Sequence, residues 1–160
     1  LNASKQRKLE EIERTLAKLI GRSQTGIPII VEGRKDKDAL RQLKILGKIV
    51  CLKARGDGFY DFASRFIDHR EVTVLTDFDG EGVRLAAKLI DELSRMKVKV
   101  DLTIWKRLKA LSRSEIRAVE ELADYVEKLR LESASVHIRA IERKYLLRMR
   151  RHKNPISRSH

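Results

Sequence analysis

The sequence predicts an α/β fold: a small four-stranded parallel sheet with helices on both faces, an N-terminal helix ahead of it and a C-terminal helical extension behind it. Three observations predict this. Apolar, β-branched runs recur four times between Ile27 and Trp105. Segments with apolar residues at helical spacing follow the first three of them. Each of those three runs also breaks into acidic or glycine residues, as a strand does where a loop leads into a helix. Strands alternating with such helices build βαβ units, and right-handed crossovers bring every strand's carboxyl end to one edge of the sheet.

In chain order, Lys5 to Ile20 carries Leu9, Ile12, Leu16, Leu19 and Ile20 with charges between them, which is an amphipathic helix. It forms an N-terminal segment over residues 1–22, and Gly21 to Gly26 reads as a linker. The sheet domain spans residues 27–107. Its first strand is IPIIVE, Ile27 to Glu32, followed by a helix with Ala39, Leu40, Leu43 and Leu46 on one face. KIVCLKA, Lys48 to Ala54, is the second strand, with Phe59, Phe62, Ala63, Phe66 and Ile67 in a short helix behind it. EVTVLT, Glu71 to Thr76, is the third; Val83, Ala86, Ala87, Ile90 and Leu93 mark the next helix. VKVDLTIW, Val98 to Trp105, is the fourth, and a basic connection follows it.

A helical extension over residues 112–150 is expected to pack on this core as two helices, Ser114 to Arg130 and about Ser133 to Arg151, with Ser112 and Glu115 as a capping box. Residues 151–160 read as a basic tail, mobile without a partner.

The 160 residues are 42% hydrophobic and 37% charged, enough apolar chain for the core of one elaborated domain. No apolar run approaches the ~20 residues that span a bilayer, and no segment resembles a signal peptide, so the expected location is cytoplasmic. The single Cys51 excludes a disulfide framework and a cysteine-based zinc site. The four histidines are scattered without ligand spacing.

Lys and Arg number 36 against 23 Asp and Glu, a formal charge of +13. A surplus of that size points to a polyanionic partner, with nucleic acid ahead of a membrane surface because no apolar-faced basic helix rich in Trp and Phe is evident. A charge-rich thermophile surface, which scarce Asn and Gln beside abundant Glu, Lys and Arg also fit, is compatible with that reading, although heat adaptation would raise both signs together.

The chemistry gathers at the predicted edge. Glu32 and Gly33, then Arg34 and Lys35, follow the first strand; Arg55 follows the second; Asp77, Asp79 and Glu81 follow the third; Trp105, Lys106 and Arg107 end the fourth. Magnesium, or manganese in its place, takes hard oxygen ligands and is commonly held by one or two carboxylates plus phosphate oxygens. In an extended Asp-x-Asp the two side chains share a side of the backbone, so Asp77 and Asp79 can address one metal or a close pair. Glu32 can share it or move a proton. Gly33, Gly80 and Gly82 would let phosphate approach the backbone amides where helices begin. The cations, with Arg148, Arg150 and Arg151 near the C-terminus, would hold a nucleic-acid backbone, and Trp105 would either stack on a base or fill the core. Taken alone, the acidic stretch reads equally well as an ordinary turn in which Asp79 caps the next helix.

VEGRKD, Val31 to Asp36, followed by TDFDGEG, Thr76 to Gly82, resembles the two signature motifs of the Toprim family, shared by bacterial-type primases, topoisomerases and small ribosomal-RNA-maturing nucleases. The resemblance covers roughly Ile27 to Trp105 and implies a Toprim-like, Rossmann-like parallel sheet. It implies Glu32 as the acid/base glutamate, Asp77 and Asp79 as the magnesium-binding pair, Gly33 and Gly82 as motif glycines, and Glu81 as a further acid. Asp36 matches an acid often found after the first motif. The chain has no room for a strand-cleaving tyrosine domain or a zinc module, so it is most similar to the small standalone members. The functional expectation is a magnesium-dependent protein that binds nucleic acid, RNA favoured over DNA, and that cleaves phosphodiesters through Glu32 and the Asp77/Asp79 site. The alternative is a non-catalytic RNA or single-stranded nucleic-acid binding module of a larger processing assembly. Membrane binding is not expected, and self-association through the N-terminal stripe is left open.

Overall fold

The computed structural model describes residues 2–54, 58–112 and 114–153. It is an α/β fold built on a four-stranded, all-parallel sheet in the order β2-β1-β3-β4. The strands are β1 (Ile29–Val31), β2 (Ile49–Cys51), β3 (Glu71–Leu75) and β4 (Lys99–Asp101). The helices are α1 (Asn2–Gln24), α2 (Arg34–Gln42), α3 (Phe59–Ser64), α4 (Gly80–Arg95), α5 (Thr103–Ser112) and α6 (Leu122–Lys153).

Alternation along the strands divides the core in two. Ile29, Val31 and Leu75 face Leu9, Ile12, Leu16 and Leu19 of α1, Leu40 of α2, Leu108 of α5, and Leu122, Val126 and Leu129 of α6. Ile30, Val72 and Val74 face Phe62 and Ala63 of α3 and Ala86, Leu89 and Leu93 of α4. Period-two alternation on β1 and β3 thus supplies both layers from two strands, which is why β1 is apolar throughout and β3 is β-branched and mostly apolar. The N-terminal helix is tied to the sheet electrostatically as well. Arg22 reaches Glu71 at 3.2 Å and Asp101 at 3.0 Å, and lies 3.4 Å from the Thr73 hydroxyl.

Six expectations need correction. The Gly21 to Gly26 linker is shorter than predicted: α1 continues to Gln24 before Gly26 turns the chain at φ +88. Leu46 is 73% exposed while Ile45 is fully buried, because Lys44 ends α2 in the left-handed region at φ 68 and reverses the chain. The buried face of α4 is Gly82, Ala86, Leu89 and Leu93, one step round from the predicted stripe.

The fourth strand stops at Asp101, whose carboxylate accepts the Thr103 N–H at 2.7 Å and starts α5, so Trp105 lies in a helix. Ser112 and Glu115 form no capping box: the Ser112 hydroxyl donates to the Leu108 carbonyl at 2.6 Å, and residues 114–118 form turns. A short 3-10 turn, Val119–Glu121, leads into α6, which runs unbroken through the expected break. Only its first two turns pack on the core; beyond residue 137 every described residue of α6 is exposed. Among the described residues no helix is long and apolar enough to cross a membrane.

Candidate metal centre at the carboxyl edge of the sheet

The chain leaves β1 and β3 on opposite faces, α2 returning over one layer and α4 over the other. The crevice between the carboxyl ends of these two adjacent strands is therefore the switch point of the sheet, the place where open α/β folds bind ligands. Glu32 follows β1 there, and Asp77 and Asp79 follow β3. The structure brings these three together.

Glu32 is buried at 5% exposure. One carboxylate oxygen accepts the Asp77 N–H at 2.9 Å, and the other faces the Lys53 ammonium at 3.3 Å. Lys53 sits in the 3-10 turn after β2, and its N–H donates to the Glu32 carbonyl. Its hydrogen bond to Glu32 raises its pKa and holds it charged. Asp77 accepts the Val119 N–H at 2.9 Å through Oδ1. Asp79 is the N-cap of α4, accepting the Gly82 N–H at 2.8 Å through its own Oδ1. Each carboxylate has two oxygens, so both aspartates retain acceptor capacity for a cation.

Asp36, buried at 5% exposure in the first turn of α2, adds a fourth carboxylate and accepts the Gly33 N–H at 3.0 Å. Burial raises its pKa, with Glu32 and Glu120 adding to the effect and the Gly33 N–H opposing it. Burial likewise pushes Asp77 up to about 6, against the Val119 N–H and together with Asp36, Glu32 and Asp79. Negative charge is thus crowded into a half-dry crevice, and a divalent cation is the species that would relieve it. Among the described residues no three His, Cys, Asp or Glu side chains converge into a ready-made cage.

The loop carrying Asp77 and Asp79 is braced from three sides. Thr76 donates its hydroxyl to the Gly82 carbonyl at 2.8 Å, and its own carbonyl accepts the Trp105 indole N–H at 2.8 Å. The Phe78 N–H donates to the Arg117 carbonyl at 2.7 Å. Gly82 is needed for close approach: a Cβ there would lie 1.9 Å from the Asp77 carbonyl oxygen. That contact is with the protein's own backbone. At Gly33 and Gly80 a Cβ would meet no backbone within 4 Å.

The other predicted residues separate into groups. Glu81 is exposed in the first turn of α4, near enough to Lys53 to raise its pKa. Arg34 and Lys35 are exposed at the start of α2, beside the crevice. Lys106 is exposed on α5, whereas Arg107 pairs with Glu11 at 2.8 Å. Trp105 is 6% exposed, bonded to Thr76 and covered by the Lys109 ammonium 4.9 Å from its ring, so it braces the site and presents no stacking face. Arg148, Arg150 and Arg151 lie on the exposed far end of α6, outside the crevice. Arg55 lies outside the described residues. Sequence reasoning missed Lys53 and the 117–121 segment. Lys53 reads as part of a strand in sequence, and Val119 contributes only a backbone amide, which leaves no side-chain signal.

No protein-family model matches the chain. A solved structure of a protein from Aquifex aeolicus is similar, with TM-score 0.58 and 28% identity over 68% of this chain and 94% of that one. A UPF0292 protein of Methanosarcina barkeri is 37% identical over 79% of this chain and 88% of its own length. A UPF0292 protein of Thermoplasma volcanium is 40% identical over 63% of this chain and 83% of its own length. By these relatives the chain belongs to the UPF0292 family.

Proposed function

We propose that this protein is a magnesium-dependent nucleic-acid-binding protein of the cytoplasm, acting on RNA and cleaving phosphodiesters at the β1/β3 crevice. The observation that carries the reading is that Glu32, Asp77 and Asp79, with buried Asp36 behind them, all lie at the switch point of a parallel sheet. Two further facts support it: the formal charge of +13 and the resemblance of residues 31–36 and 76–82 to the Toprim motifs. Asp77 and Asp79 would hold the cation, Mg²⁺ or Mn²⁺. Bound there, it would neutralise charge on a phosphate group. Glu32 is anchored by the Asp77 N–H on one oxygen and keeps the other beside Lys53, where a proton can be moved. Arg34, Lys35 and Lys53 lie on the same edge and would position the phosphate backbone. The test is cleavage of structured RNA with and without Mg²⁺. Activity should vanish in Asp77→Asn and in Glu32→Gln; survival in both refutes the mechanism.

A second reading has its own observation. Each of the three acids already serves the fold: Glu32 receives the Asp77 N–H, Asp77 the Val119 N–H, and Asp79 caps α4. On that basis the protein is a binding module without turnover, part of a larger RNA-processing assembly. Salt-dependent RNA binding that persists unchanged in Asp77→Asn, with no cleavage by wild type, selects this reading.

A further inference from the structure

We propose that Arg84 and Arg117 hold the phosphates on either side of the one lodged in the β1/β3 crevice, so that an RNA strand crosses the sheet edge from face to face and is bound as an internal segment, not by an end. The proposal rests on the reading of that crevice as a nucleic-acid site and adds to it the path of the strand.

The loop carrying Asp77 and Asp79 lies between the two layers of the core. On one face α4 leaves it, packed through Ala86, Leu89 and Leu93 against Phe62. From the opposite face the 116–119 segment reaches it, with Ile116 and Val119 joining Leu40 and Leu122 in the other layer. Each face brings one arginine to the loop. Nη1 of Arg84 lies over Gly80, 3.7 Å from where a Cβ on that glycine would stand. Arg117 accepts the Phe78 N–H on its carbonyl at 2.7 Å, which fixes its backbone beside the residue that separates Asp77 from Asp79.

Both side chains are exposed, and among the described residues neither guanidinium makes an ion pair or a hydrogen bond. Acids are within sequence reach of each. Glu81 precedes Arg84 by three residues on α4, the spacing of a helical ion pair, yet the guanidinium lies over Gly80 without pairing. Glu121 follows Arg117 by four residues, but its carboxylate accepts the Arg117 and Ala118 N–H groups, both at 2.9 Å, and is taken up by the backbone. Elsewhere the fold consumes its arginines: Arg22, Arg95, Arg107 and Arg130 each pair with a carboxylate. A planar guanidinium matches two phosphate oxygens at once, so an unpaired one on each side of an acidic loop suits a chain of phosphates that continues in both directions. A strand that ended in the crevice would meet only one of them.

Fluorescence anisotropy with a labelled single-stranded oligoribonucleotide, linear and covalently circularised, tests the path. All proteins carry Glu32→Gln, so that the RNA stays uncut while Mg²⁺ is present. Arg84→Met and Arg117→Met should each weaken both RNAs by about fivefold or more and lower the slope of log affinity on log salt by about one, and the double variant should lower it by about two. Lysine at either position should restore the slope, because the charge returns. Lys48→Met, an exposed cation just ahead of β2 at the opposite edge of the sheet, should change nothing. All these variants should unfold at the parent's temperature, since the substituted side chains are exposed and the backbone bonds of Arg117 do not involve its side chain. RNA binding that Asp77→Asn weakens but either arginine variant leaves intact overturns the proposal and spares the crevice reading. Binding of linear RNA alone also overturns it, because the site would then read strand ends. No RNA binding by the parent protein overturns both.

Discussion

Gly82→Ala should unfold the acidic loop's support although Ala is the better helix former. In an unconstrained helix the change gains up to ~1 kcal/mol. Here the new Cβ would lie 1.9 Å from the Asp77 carbonyl oxygen and 2.6 Å from its carbonyl carbon, both backbone atoms. Ordinary contact needs more than 3 Å, so α4 and the Asp77 peptide must separate by more than 1 Å at a position where both are anchored.

The separation strains two hydrogen bonds, from the Gly82 N–H to Asp79 and from the Thr76 hydroxyl to the Gly82 carbonyl. Losing an N-cap costs ~1 kcal/mol, a buried hydrogen bond about another, and overpacking ~1–3 kcal/mol. After the propensity gain, a net loss of ~2–4 kcal/mol remains, or about 5–15 °C in Tm for a domain of this size. Urea and thermal unfolding followed by circular dichroism measure it. Gly80→Ala is the control, since its Cβ would find only the flexible Arg84 guanidinium at 3.7 Å, and it should be neutral or stabilising. If the two variants lose equal stability, or Gly82→Ala loses none, the close-approach reasoning is wrong.

Asp77→Asn keeps an oxygen for the Val119 N–H but removes a charge whose pKa burial lifts from 3.8 to about 6. The folded state then binds the extra proton between those values, so metal-free wild type loses stability as pH rises through that window. The variant should be the more stable by on the order of 1–2 kcal/mol above pH 6, with the difference vanishing as pH falls well below 3.8, in unfolding curves without metal. Asp101 behaves in the opposite sense. Burial pushes its pKa up, but the Thr103 contacts, Arg22 and Lys99 outweigh it and leave the pKa below 3.8. Its contribution is full above that value and is lost as pH falls through the lowered pKa, so Asp101→Asn should cost about 1–2 kcal/mol at pH 7 and nothing in strong acid. Trp105→Phe should lower stability by about 1–2 kcal/mol through the lost bond to the Thr76 carbonyl, yet leave RNA affinity unchanged in a filter-binding titration.

The sheet was legible because β1, β2 and β3 lie in apolar, largely β-branched runs that give way to acid or glycine, and strand ends in a parallel sheet have one destination. The same logic places Glu32, Asp77 and Asp79 at a single edge from sequence alone. What escaped was set by backbone and by tertiary context. The left-handed turn at Lys44 carries no glycine to announce it, so Ile45 rather than Leu46 reached the core. On α4 the buried face includes Gly82, which packs against the Asp77 carbonyl and carries no apolar side chain to mark it in the sequence. Asp101 reads as a strand residue until its carboxylate is seen to cap α5. The 114–121 segment looked helical by period, yet it crosses the sheet edge as turns and holds Asp77 through an amide that no side-chain pattern encodes.

The central claim is that the crowded carboxylates of the β1/β3 crevice hold a divalent cation. Isothermal titration of Mg²⁺, with Mn²⁺ followed by electron paramagnetic resonance, tests it directly on wild type, Asp77→Asn and Glu32→Gln. The account predicts saturable binding to wild type, weakened by about tenfold or more in Asp77→Asn, and a metal-dependent rise in Tm that Asp77→Asn does not show. No binding to wild type at millimolar Mg²⁺, or binding undiminished in both variants, would contradict it.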